Sequence, residues 1–268
     1  MIIIALVKHT IKSCLARKSF YVFLGIGLLI VLLSIPSFMA FSAAIGGSSA
    51  QDPSTIIARR GSLIGQLLSL WESIIVLGGI FFGALHYRNE IQLRTILAII
   101  AKPTSRLQFF VSRFIGIFLF LSFFLFLGYI LAFSALLYFG ITPGSLILFG
   151  FIYGFIKLFL FTGIAFSLGH ILHSVFAGGI TFIVYILPAF LTNFMEMANP
   201  IISTFSRFLY FLCPAQMYVN IIEETIHDQL VDPNIWLIIG VMAENIFYGL
   251  VVMLVGYISF NSKDILFQ

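Results

Sequence analysis

Residues 107–139 form an almost unbroken apolar run, and after the tight turn ITPG (141–144) a second run follows at 145–169. A helix rises about 1.5 Å per residue, so runs of this length can cross a hydrocarbon core about 30 Å thick. In lipid, every backbone N–H and C=O must be bonded within the span, which makes helices the default for such segments. The rest of the chain agrees. Only 9% of its 268 residues are charged, 61% are hydrophobic, and the mean hydropathy is +1.13. A soluble domain carries about 25% charged residues, and it has too little interior to hide 32 Phe. The sequence therefore reads as an all-α integral membrane protein, one transmembrane domain over residues 1–268.

Six transmembrane helices are expected, at 20–41, 67–87, 107–139, 145–169, 174–194 and 235–259. The first exceeds the roughly 7–15 apolar residues of a signal-peptide core and is read as retained. Ahead of it, residues 1–19 read as an N-terminal interfacial helix. Ile4, Val7, Ile11, Cys14 and Leu15 fall on one face, and Lys8, His9, Lys12, Ser13 and Arg17 on the other. The same charges would serve equally as a flank that orients the first span. Residues 42–66 read as a polar loop, and HILHS as the turn between spans four and five.

Residues 195–233 admit two arrangements. IISTFSRFLYFLCPAQMYVNII is apolar but broken by Arg207 and Pro214, and Glu223, Glu224, Asp228 and Asp232 follow it. It is either a seventh span or a re-entrant outer segment of two short helices. With six spans and the N-terminus inside, ten Lys and Arg lie inside (8, 12, 17, 18, 88, 94, 102, 106, 113 and 263). Only three, Arg59, Arg60 and Arg207, lie outside, as the positive-inside rule asks. Trp71 and Trp236 then both mark outer span ends, where aromatic belts belong. The re-entrant arrangement, with both termini cytoplasmic, is preferred.

Between spans two and three, residues 86–106 read HYRNEIQLRTILAIIAKPTSR. Over 90–102, Leu93, Ile96, Leu97 and Ile100 form a helical stripe, and Glu90 precedes Arg94 by four residues, in the favourable order. Pro103 stops the helix, and Thr104 or Ser105 can cap the next. Such an amphipathic helix either packs as a plain surface element or docks into a groove on a partner. Glu90, Thr95, Pro103, Ser105 and Arg106 resemble the inner-loop signature of type 2 ABC-transporter permeases: an acid, Gly-Thr, an apolar stretch, then Pro-x-Ser-Arg. Arg94 stands where that family usually has Gly. The ending Phe260-Asn-Ser-Lys263-Asp264-Ile265 resembles the family's terminal pattern too.

The resemblance implies a permease subunit, more often an exporter than an importer, in the cell inner (plasma) membrane. It implies a second permease subunit and two cytoplasmic ATPase subunits, which would carry the ATP and Mg. It also makes 88–106 a cytoplasmic coupling loop contacting the ATPase through Glu90, Arg94, Thr95, Pro103 and Arg106. No GxxxxGK[ST] loop occurs in this chain, so no cofactor is expected in it, and no nucleic-acid partner. The family would use spans one and five for dimerisation, which makes Ser174 and Gly178 the interface candidates.

Three ionisable residues fall within spans, Glu72, Lys157 and Glu244. Charges inside a membrane are expensive and mark either structural pairing or a substrate path. Lys157 needs a Glu partner, whereas Glu72, nearer the outer surface, has headgroups or water in reach. Gly79-x-x-x-Gly83 and Gly150-x-x-x-Gly154 read as helix-packing motifs. His170 with His173, and Glu224 with His227, lack further ligands, so no metal site is expected; nor is a disulfide between Cys14 and Cys213. HExxH and GxSxG are absent, so no catalytic residue is assigned. A secondary transporter working through the intramembrane Glu and Lys residues is the alternative function.

Overall fold

The computed structural model describes residues 2–16, 18, 20–22, 24, 25, 27, 29, 53–92, 105–138, 140, 146–195, 200–213 and 235–262. Among the described residues every regular element is a helix: α1 (Ile2–Leu15), α2 (Pro53–Gln92), α3 (Arg106–Tyr138), α4 (Leu146–Ile171), α5 (Ser174–Met195), α6 (Pro200–Leu212) and α7 (Ile235–Ser262). Four of them contain stretches long and apolar enough to cross a membrane: Ile64–His86, Arg106–Tyr138, Gly150–Ile171 and Ile239–Ser262. The chain is thus all-helical with the character of a multi-pass membrane protein.

Helix α4 is the axis of the bundle. It is apolar all round, the pattern of a helix with no solvent-facing side, and it packs against α2, α3, α5 and α7. Helix α1 lies on α3, and α6 on α5. Glycines bring α2 and α4 to backbone contact. A Cβ on Gly83 would stand 3.0 Å from the Thr162 carbonyl oxygen and 3.1 Å from the Phe166 nitrogen, and Gly79 meets the Thr162 side chain. Small residues that let backbones approach are how helices gain packing energy in lipid, where burial of apolar surface supplies little.

Several sequence boundaries shift. The stretch 42–66, expected to be a loop, is helical from Pro53 onward, so α2 runs 40 residues, about 60 Å. Pro53 suits the first helical position, where its missing N–H costs nothing, and no later proline interrupts. Helix α2 then continues past the expected end of its span through Glu90 to Gln92. In α1 the side chains buried against the bundle are Leu6, Thr10 and Cys14, while Ile4 and Leu15 of the expected membrane-facing stripe are exposed. Trp71 is half-buried, and its indole N–H donates to the Phe124 carbonyl at 3.1 Å. Trp236, 81% exposed, sits at the start of α7. Of the expected first span only scattered residues are described, of the expected re-entrant segment α6 and Cys213, and most of the expected coupling loop lies outside the described residues.

Replacing Gly83 with Leu should drive α2 from α4, at a cost of about 1–3 kcal/mol or more. Thermal unfolding in detergent checks this; an unchanged midpoint would mean that the two backbones do not touch there.

Candidate functional site

Glu72 and Lys157 come together in the middle of the bundle. Lys157 Nζ stands 3.1 Å from Glu72 Oε1, with side chains only 4% and 8% exposed. The second carboxylate oxygen, Oε2, accepts from the Tyr129 hydroxyl at 3.2 Å. The ammonium also lies over the Tyr185 ring, 5.4 Å from its centroid. One cluster therefore joins α2, α3, α4 and α5. Gly154, one turn before Lys157, provides its room, since a Cβ there would lie 2.9 Å from Glu72 Oε2. Glu72 stands fourteen residues before His86 and Lys157 fourteen before Ile171, which sets both about 21 Å from that end.

Burying two ions sacrifices their hydration, and mutual attraction offsets this only when geometry is good and remaining lone pairs are bonded. Here both carboxylate oxygens have donors. Glu72, expected to have headgroups or water in reach, is instead buried within the chain and paired with Lys157. Glu244 does not join: it lies exposed on α7. The sequence identified the need for a Glu partner, but which Glu depends on how α2 and α7 are rotated.

The His86 end of the bundle holds a second, aromatic site. His170 packs against Phe110, Phe166 and Phe260, with Nδ1 2.7 Å from the Phe166 carbonyl oxygen. His86 faces the same Phe166 ring, and Phe109 stacks on Phe260 at 6.0 Å. Arg106 Nη1 donates to the Asn261 carbonyl at 2.6 Å, tying the start of α3 to the end of α7. About two turns farther along α3, the fully buried Arg113 donates to Thr10 Oγ1 at 2.8 Å, meets His9 Nδ1 at 3.1 Å and lies over the Phe109 ring. Sequence reasoning missed Arg113 as a site residue. Its signal was present, a cation inside an apolar run facing a helix that carries His9 and Thr10.

Among the coupling candidates, Arg106 has the contact just given and Glu90 belongs to the last turn of α2; Arg94, Thr95 and Pro103 lie outside the described residues. Ser174 and Gly178 do not mark an outer face. Ser174 is buried, and Gly178 faces Ala84 of α2, so they seat α5 within the chain. His170 and His173 diverge, one buried and one exposed, and the described residues contain no group of three metal-ligating side chains. Compared with protein-family models and with curated proteins, the chain matches none.

Tyr129→Phe should destabilise the bundle by about 1–3 kcal/mol, because it strips a buried carboxylate oxygen of its donor. Gly154→Val should do more, since its branch collides with that carboxylate. Melting of the purified variants in detergent reads both; two unperturbed midpoints would remove Tyr129 and Gly154 from the cluster.

Proposed function

We propose that the chain is the membrane-spanning permease subunit of an ATP-driven ABC transporter, working as an exporter. In this reading it has six spans and cytoplasmic termini in the cell inner membrane, and it pairs with a second permease subunit. Two cytoplasmic ATPase subunits supply the energy by ATP hydrolysis. The single observation that carries the reading is the stitching of the His86 end. There the segment 93–104 leaves α2 and rejoins at Arg106, which grips Asn261 of α7, while Phe109, Phe110, His170 and Phe260 bind α3, α4 and α7 into one unit. A push on that loop by a partner would move four spans together. The resemblance of Glu90, Thr95, Pro103, Ser105 and Arg106 to the permease signature falls on the same loop.

A gentle-detergent pull-down of the tagged chain from its native membrane is expected to bring down a near-stoichiometric partner carrying a P-loop. A chain recovered alone in several mild detergents would overturn the proposal. Glu90→Ala with Arg94→Ala should weaken that association and lower ATP turnover while the chain still inserts and melts normally; unchanged turnover would mean these residues do not form the docking face. The buried Glu72–Lys157 pair favours a second reading, a secondary transporter that makes and breaks the pair. It would take precedence if the chain is alone and Lys157→Met abolishes transport at unchanged stability.

A further inference from the structure

Helix α1 is fastened to the bundle by one face. Leu6, Thr10 and Cys14 are buried there, Thr10 Oγ1 donates to the Leu6 carbonyl at 2.9 Å while accepting from Arg113 of α3, and Gly116 of α3 leaves room for the Thr10 side chain. A helix turns about 100° per residue, so Lys8 and Lys12 fall on the opposite side. Both are exposed, as is Lys18 farther along, and neither Lys8 nor Lys12 makes an ion pair or hydrogen bond among the described residues. No acid close by in sequence neutralises them. Residues 1–51 contain no Asp or Glu, and α3, on which α1 lies, contains none either.

The depth of these lysines follows from their neighbours. Thr10 meets Arg113 and Gly116, and Phe20 packs on Phe120 and Phe124, so the chain from α1 onward runs beside α3 in the same direction. Helix α3 has 33 residues, about 50 Å, whereas the hydrocarbon core is about 30 Å thick. A core that reaches the Tyr138 end leaves roughly the first 13 residues of α3, up to about Phe118, beyond it. Lys8 and Lys12 flank Thr10 and stand beside that excess, at the level of headgroups rather than acyl chains. Past them the outward side chains turn apolar, with Leu15, Tyr21, Val22 and Leu29 all exposed.

We propose that this side of α1 binds anionic phospholipid in the leaflet at the His86 end, with Lys8 and Lys12 holding one headgroup phosphate between them. Side chains four apart on a helix have Cβ atoms about 5–6 Å apart, so both ammonium groups can reach a single phosphate. Basic side chains beside a membrane surface attract acidic lipids. A lipid fits here better than an acidic protein, because the lysines are followed toward the core by Leu15, Tyr21 and Val22. A ligand on this surface needs an anionic head and an apolar tail, in that order. The site goes beyond the transporter reading and does not rest on it. Through Thr10 and His9, which hold Arg113, the lipid-bearing helix is tied to α3.

The full chain in nanodiscs of mixed phosphatidylcholine and phosphatidylglycerol supplies the test, with a photoreactive analogue of one lipid or the other. The phosphatidylglycerol probe should label the peptide that contains α1, and the phosphatidylcholine probe should label it far less. Each lysine near an acidic surface changes affinity roughly fivefold. Lys8→Gln with Lys12→Gln should therefore cut the labelling more than tenfold, and Lys8→Arg with Lys12→Arg should keep it. Cys14 is wholly buried under α1, so its protection from N-ethylmaleimide, with Cys213 changed to Ser, shows that the helix stays seated in each variant. Equal labelling of α1 by the two probes, or none, in the parent chain would overturn the proposal whatever the variants do. Labelling unchanged in the glutamine variant with Cys14 still protected would do the same. Competition by inorganic phosphate as effective as by phosphatidylglycerol would also overturn it, since the site would then take soluble phosphate rather than lipid.

Discussion

An ammonium and a carboxylate 3.1 Å apart, both almost wholly buried, constrain how the described helices pack. Neither ion is tolerable there without the other, because removal of one leaves a charge that no solvent can reach. Meeting that demand fixes the rotation of α2 about its axis, so that Glu72 faces inward, and sets the height of α4 beside it. Gly154, Tyr129 and Tyr185 complete the arrangement from the remaining surfaces. Once α2 and α4 are set in register, Gly79 and Gly83 fall opposite Thr162 and Phe166, and the backbones close on each other.

Two levels of the bundle are held by different means. Around Glu72 the bonds are ionic and local, joining helices at one level. At the His86 end the contacts are aromatic stacking plus hydrogen bonds from Arg106 and Arg113 to α7 and α1. In the proposed permease, a push on the stitched His86 end would be resisted or passed on at the buried pair about 21 Å away. The proposed ATP-driven permease needs this division, since its energy arrives on one side and its substrate crosses along the whole length.

Much of the architecture was legible because membrane spans are written in hydropathy. Residues 107–139 were expected to be a helix and α3 covers Arg106–Tyr138; the stretch 174–194 is likewise helical, as Ser174–Met195. The outer half of α2 was not legible, because Arg59, Arg60, Gly61 and Gly65 look like a loop when only apolar length is read. Within the site, the presence of Glu72, Lys157 and Glu244 in spans was plain and so was the need for pairing. The choice of partner was not, since α2, α4 and α7 are apolar on nearly every side and their patterns do not say which face turns inward. For the same reason the sequence does not show that Ser174 is buried within the chain and that Gly178 faces Ala84.

The most direct measurement is a double-mutant cycle on the central pair, with Glu72→Leu, Lys157→Leu and both together compared by reversible unfolding in detergent. If the pair holds the bundle, each single change lowers stability by about 3–5 kcal/mol, and the double variant is more stable than either single one. Strictly additive losses, or singles as stable as the parent, would contradict the account, because the two charges would then not be interacting in the folded protein.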